Sequence, residues 1–259
     1  MILLIPSNMV EIYRRRIQIA PVGFEVDRVV IPAIKEKAEK VYLMVHKDRS
    51  KDKATKYAAA IQRKLKAKNI ETELVYCDWE NIEEITRVAR DLILQESSNE
   101  VAINLASGSK NHAIGLDRAC MTFRKRKHIH PFYPEAEKWT AWKYPKQQST
   151  GVKKIKQIPI HRIIVPEPEL TVALKAIKQD AVDIPMHKGK KGIKKKDLAK
   201  SLYGDSSKVN LTKLQRNITQ KLEKTWRAVE IIQVGQSDWI SLTDEGKYLR
   251  YVMKHEETY

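Results

Sequence analysis

From Ile17 to Phe132 short apolar runs alternate with segments of helical period, and that alternation restricts the fold more than any other feature of the chain. Ile17–Ala20, Lys40–Val45, Thr72–Tyr76 and Val101–Leu105 read as strands, with Ile129–Tyr133 as a fifth. Between them, helices are expected over Phe24–Glu39, Lys51–Lys68 and Ile82–Gln95, and again after Lys110. Pro32 falls inside the first of these and should kink it or mark its true start. Strands separated by helices pair in parallel through right-handed crossovers, and a helical layer then covers each face of the sheet. An edge strand over Lys138–Tyr144, in a hairpin with Ile155–Ile164, would close this domain.

In that architecture the loops after the strands collect on one edge, where open α/β sheets bind ligands. Two of these loops are suited to it. Pro21-Val22-Gly23-Phe24 follows the first strand, and Ala106-Ser107-Gly108-Ser109-Lys110-Asn111 follows the fourth. Gly108 permits close approach of the backbone to a ligand, Ser107 and Ser109 offer hydroxyls, Lys110 adds a charge, and the helix start adds N–H donors for an anion. An ordinary serine-capped turn between strand and helix would have the same spacing. Gly23 has no companions that would make a GxGxxG fingerprint, and no Walker A pattern occurs, which argues against a nicotinamide enzyme or a P-loop nucleotidase.

Charge points to a partner. The chain of 259 residues carries a formal net charge of +17, an excess that favours a polyanion, most often nucleic acid. Abundant Lys and Glu also suit a hot-adapted surface, which accounts for the number of charges but not for their imbalance. Cys77 and Cys120 stand in separate apolar contexts, without a disulfide framework or a zinc spacing, so a reducing cytoplasm and no metal are expected. Met1–Ile5 is too short for a membrane span and is followed by Pro6; no membrane partner is expected.

After Pro166 the pattern changes. A helix through Leu170, Ala173, Leu174 and Ile177 precedes a basic linker, His187–Gly192. A short helix, Lys196–Tyr203, then a turn at Gly204-Asp205-Ser206, leads to a third helix with Leu211, Leu214, Ile218 and Leu222 inward and Ser206 or Ser207 as its cap. Strands over Val229–Val234 and Trp239–Leu242 and a last helix from Thr243 complete the order of a winged helix-turn-helix, which sets its third helix in the major groove of double-stranded DNA. Between Lys188 and Arg227 the basic residues far outnumber the acids Asp197, Asp205 and Glu223. Lys194, Lys195, Lys196, Ser207 and Lys208 are the candidates for phosphates. Asn210, Thr212, Lys213, Gln215, Arg216, Asn217 and Gln220 are the candidates on the third helix. The wing tip lacks Lys and Arg and carries Asp238, so little phosphate contact is expected there. The expected fold class is therefore α/β, with a Rossmann-like parallel-sheet domain over residues 1–165 and an α+β winged helix-turn-helix over 166–259. The same winged order also serves in protein interaction.

The two halves together resemble the CARF-domain (CRISPR-associated Rossmann fold) transcriptional regulators of archaea that carry a C-terminal winged helix-turn-helix. The residues that carry the resemblance are Ala20-Pro21-Val22-Gly23-Phe24, Ala106-Ser107-Gly108-Ser109-Lys110, and Ile240-Ser241-Leu242-Thr243-Asp244-Glu245-Gly246, continuing to Leu249. The resemblance implies a cytoplasmic homodimer in antiviral defence, sharing one ligand site across its two-fold axis. It implies a cyclic oligoadenylate such as cyclic tetra-adenylate as ligand, held by Pro21–Phe24 and Ala106–Asn111. Three functions stay open from sequence. One is a ligand-responsive DNA-binding regulator without catalysis. Another is a ring nuclease opening the cyclic oligoadenylate without metal, with Lys110, Ser107 and Ser109 stabilising charge and His112 moving protons if it faces the pocket. The last is a small-molecule or protein-interaction module with no DNA role.

Overall fold

A computed structural model describes residues 13–123, 127–140, 146–159 and 166–253. The chain divides into two compact units, residues 1–120 with 125–160 and residues 121–124 with 161–259.

The first unit runs β1 (Arg16–Pro21), α1 (Asp27–Lys35), β2 (Lys40–His46), α2 (Thr55–Lys66), β3 (Glu71–Cys77), α3 (Ile82–Gln95), β4 (Glu100–Asn104), α4 (Lys110–Met121), β5 (Ile129–Trp139) and β6 (Ser149–Gln157). Its sheet has the order β3-β2-β1-β4-β5-β6, parallel except for the antiparallel β5–β6 pair, a Rossmann-like arrangement. Ala20, Leu43 and Val45 face α1 and α2, packing with Val29, Ile61 and Leu65. Strand alternation sends Ile19, Tyr42, Met44 and Ile103 to the opposite face, where they are also buried. Gly115 lets α4 approach α3: a Cβ there would lie 2.6 Å from Ile85 Cγ2. The chain reverses its direction of winding between β1 and β4, which pair Ile19 with Ile103. Their carboxyl ends therefore lie side by side, and so do the turns that follow them.

Pro32 stays inside α1 rather than opening it. A proline there cannot donate to the carbonyl four residues back, that of Arg28. Asn104, at the end of β4, fills the vacancy: its Nδ2 donates to Arg28 O at 2.8 Å. Its Oδ1 accepts from Ala106 N at 3.0 Å, so one buried amide ties α1 to the turn after β4.

The second unit runs α5 (Pro168–Gln179), β7 (Val182–Asp183), β8 (Lys191–Lys194), α6 (Lys195–Tyr203), α7 (Lys208–Leu214), β9 (Val229–Val234), β10 (Ser237–Leu242) and α8 (Asp244–Val252). Its sheet has the order β7-β8-β10-β9, antiparallel throughout. Leu174, Leu198, Leu214, Ile218, Leu222 and Ile240 form its separate core; each such side chain contributes about 2 kcal/mol when fully buried. Gly204 ends α6 at φ +86°, the left-handed conformation that favours glycine. Ser207 Oγ accepts from Asn210 N and caps α7, as expected. Thr243 caps α8 in the same way.

Four expectations are corrected. Among the described residues the edge hairpin pairs β5, which runs on through Trp139, with Ser149–Gln157, so the expected strands Lys138–Tyr144 and Ile155–Ile164 coincide with it only over Lys138–Trp139 and Ile155–Gln157. The basic linker is partly a hairpin, with Lys191 and Gly192 paired to Asp183 and Val182. The third helix is regular only to Leu214, and wide π-type turns follow over Gln215–Thr219 and Lys221–Thr225. The first helix is shorter than Phe24–Glu39, because Gln147 caps its start from across the fold. Met1–Ile5, residues 141–144 and residues 160–164 lie outside the described residues.

Candidate functional site

The turns after β1 and β4 meet backbone to backbone. A Cβ at Gly23 would lie 2.7 Å from Gly108 N, and a Cβ at Gly108, which sits at φ +81°, would lie 2.8 Å from Pro21 Cβ. Only residues without a side chain fit this junction. Gly108, Ser109 and Lys110 are exposed on it.

The remaining expected ligand residues are placed around that surface. Pro21 and Val22 are buried, so they present backbone rather than side chain. Phe24 packs its ring on Tyr57 with centroids 5.4 Å apart, and its carbonyl accepts from Gln148 N. Ala106 is held through Asn104, and Asn111 Nδ2 donates to Trp79 O at 3.0 Å. Ser107 is buried at 1% exposure, which removes its hydroxyl from the solvent-facing surface.

One of the two helix starts at this edge is already occupied. Gln147 Oε1 accepts from Val26 N and Asp27 N at 3.0 and 3.1 Å, so the start of α1 is capped from within. The start of α4 is organised by His112. Its Nδ1 accepts from Ser109 N at 3.1 Å and lies 2.9 Å from Ser109 Oγ. Accepting at Nδ1 puts the ring proton on Nε2. His112 is fully buried, and Trp79 packs between it and His46, with ring centroids 5.7 and 5.2 Å apart. Burial, with a smaller push from His46, lowers the His112 pKa to about 4. The ring is therefore a neutral clamp on the turn, not a group facing a pocket as the proton-moving reading required.

Trp79 Nε1, Ser107 Oγ and His112 Nε2 are buried without a hydrogen-bond partner among the described residues. Buried polar groups seldom stay unpaired, so these three are exceptions inside the packed layer beneath the turn, not groups presented on it. Among the described residues no group of three His, Cys, Asp or Glu could hold a metal. The sequence reading missed Gln147, Trp79 and His46, and gave Asn104 no role of its own. Gln147 and Trp79 reach the site from loops far away in sequence, and no local pattern marks them.

A neutral buried histidine makes stability depend on pH. The unfolded chain takes up a proton near pH 6.5, whereas the folded one resists until about pH 4. Stability is thus fullest above pH 6.5, falls as pH drops toward 4 and levels off below, by on the order of 3 kcal/mol in total. Denaturant titrations of wild type and His112→Gln across that range check this. The wild type should lose more stability than the variant between pH 7 and 4, and equal slopes would refute it.

The second unit carries the basic surface. Lys208, Val209, Thr212, Lys213, Arg216 and Asn217 line a shallow concavity on α7 and its continuation. Lys196, Lys208, Arg216, Asn217 and Gln220 are exposed. Others of the expected contacts are partly engaged within the unit. Lys194 Nζ lies 5.3 Å from the centre of the Trp239 ring, and Lys195 pairs with Asp238 at 3.5 Å. Lys213 Nζ lies 4.7 Å from the centre of the Tyr203 ring. Asn210 Nδ2 donates to Asp205 at 2.8 Å, Thr212 Oγ1 donates to Lys208 O, and Gln215 Oε1 accepts from Thr219. Ser207 is spent on the cap, and its backbone N–H holds the Asp205 carboxyl below the usual range.

No described helix is long and apolar enough to cross a membrane. A family model described as HFX_2341_N:-like, N-terminal, matches residues 16–139. An uncharacterized protein of Methanocaldococcus jannaschii, MJ1513, is 27% identical over 195 residues, covering 66% of this chain and 58% of that protein. The chain thus spans little more than half the length of that curated relative. Among solved structures, Can2 of Sulfobacillus thermosulfidooxidans in complex with cyclic tetra-adenylate is similar at TM-score 0.40 and 10% identity, over 90% of this chain and 77% of that one. VC1899 of Vibrio cholerae is similar at TM-score 0.40 and 12% identity, over 89% of this chain and 78% of that one. Csm6 of Enterococcus italicus bound to cyclic hexa-2'-fluoro-hexa-dAMP is similar at TM-score 0.37 and 12% identity, over 48% of this chain and 34% of that one. At these TM-scores the likenesses carry no argument about function.

Proposed function

We propose that this chain is a nucleotide-responsive DNA-binding regulator: the first unit binds a cyclic oligoadenylate, and the second is a winged helix-turn-helix that reads double-stranded DNA. The contact of Gly23 with Gly108 carries the reading, because it leaves Gly108, Ser109 and Lys110 exposed where two strands of a parallel sheet diverge. The start of α4, the exposed Ser109 hydroxyl and the Lys110 ammonium suit an occupant rich in phosphate. The motifs at Ala20–Phe24 and Ala106–Lys110 name that occupant through their resemblance to CARF domains. A ring with internal two-fold symmetry matches an isologous site, so the binding form is a homodimer. The DNA reading is supported by the order of α5, β8, α6, α7, β9 and β10, and by the exposed cations along α7.

Calorimetric titration of the protein with cyclic tetra-adenylate tests the ligand. Saturable binding at one ring per two chains is the expected result, and no heat at millimolar ring would overturn it. A second reading, slow opening of the same ring, draws on Lys110, which is exposed and makes no ion pair among the described residues. Chromatography of the bound ring over hours separates the two, since linear products appear only if the ring is cut.

A further inference from the structure

Val209 is the second residue of α7 and is 76% exposed. It lies off the inward stripe of that helix, where Leu214, Ile218 and Leu222 are buried, so the core has no use for it. A β-branched residue is also a poorer helix former than the Lys or Glu that usually fill exposed positions. Its surroundings are cationic and polar: Lys208, Thr212, Lys213, Arg216 and Asn217 share the same concavity. A basic rim around an apolar centre fits a polyanion that has an apolar spot at the same depth. In the major groove of DNA that spot is the 5-methyl group of thymine. Double-stranded RNA offers neither the methyl nor an accessible major groove, and single strands are held by aromatic stacking, which valine cannot provide.

We infer that Val209 is a specificity residue whose methyl groups pack against the 5-methyl of a thymine in the DNA site, beside Arg216. This rests on the DNA-binding reading above. It is strengthened by the side chains of Asn210, Thr212 and Gln215, which are already hydrogen-bonded within the unit and so less available to base edges.

The test uses the chain of 259 residues and a duplex that it enriches from a randomised DNA pool. That duplex is remade with deoxyuridine in place of every thymine, a change that removes only the methyl groups. Wild type should bind the uridine duplex about three- to tenfold more weakly, the loss expected for one buried methyl contact. Val209→Ala should bind the two duplexes within about twofold of each other, since the shortened side chain loses the two γ-methyls that reach the thymine and keeps only a more distant β-carbon. Equal binding of both duplexes by wild type, or an undiminished uridine penalty in Val209→Ala, overturns the assignment while leaving DNA binding intact. If no duplex is enriched or bound at all, the DNA reading itself fails and α7 faces a different partner.

Discussion

Gly108→Ala is expected to weaken cyclic oligoadenylate binding at least about tenfold and to cost the first unit about 2–4 kcal/mol. Two effects add. Gly108 sits at φ +81°, where any side chain is strained, and its Cβ would lie 2.8 Å from Pro21 Cβ and 3.0 Å from His112 Nδ1. Neither neighbour can retreat easily, because Pro21 is in β1 and His112 is packed under Trp79. Gly189→Ala is the control. That residue has φ +80° but nothing within 4 Å of an added Cβ, so only the backbone strain of about 1 kcal/mol remains. Denaturant melts and ligand titrations of both variants separate strain from contact. If the two substitutions cost the same and ligand binding survives at position 108, the two turns do not form the site.

Reversing charge on the second unit should have the other large effect. Lys213→Glu combined with Arg216→Glu is expected to weaken DNA binding by about 100-fold and to flatten the salt dependence by about two phosphate equivalents. Both residues are exposed, so the fold should tolerate the change. The reading is discriminating because Lys213 also rests on the Tyr203 ring. Arg216→Glu alone should therefore give most of the loss. Fluorescence anisotropy across a salt series checks this, and a double variant with unchanged affinity and slope would remove α7 as the reader.

The elements of the first unit were legible where hydrophobic period was strong. Helix α3 spans Ile82–Gln95 as its spacing indicates, and its Asn81 cap accepts from Glu84 N. The last sheet element was not legible, because Lys153, Lys154 and Lys156 make β6 polar while the apolar run to Ile164 reads better as a strand. The expected fifth strand ended at Tyr133, just before Pro134, although the strand continues to Trp139. The two-residue strand Val182–Asp183 is too short for any periodicity.

At the candidate site, sequence marked the two turns but not which of their groups face outward. Ser107 read as a hydroxyl offered to a ligand and His112 as a proton mover if it faced the pocket, yet both are buried, because packing over the sheet decides exposure residue by residue. Gln147 caps a helix start more than a hundred positions away along the chain, and Asn104 replaces the hydrogen bond that Pro32 removes. Such long-range polar substitutions leave no local trace. On α7 the polar residues were read as a free reading face, whereas local hydrogen bonds engage several of them and leave an apolar residue, Val209, fully presented.

Coupling between ligand and DNA is the claim on which the proposed regulator stands, and DNA affinity measured with and without saturating cyclic tetra-adenylate tests it most directly. A ligand that prefers one state of the protein must shift DNA affinity by the same factor as DNA shifts ligand affinity, and about tenfold is typical of such pairs. The expected result is a change of that order in wild type that disappears in Gly108→Ala. An identical DNA affinity at saturating ring, with ring binding confirmed in the same sample, would contradict it.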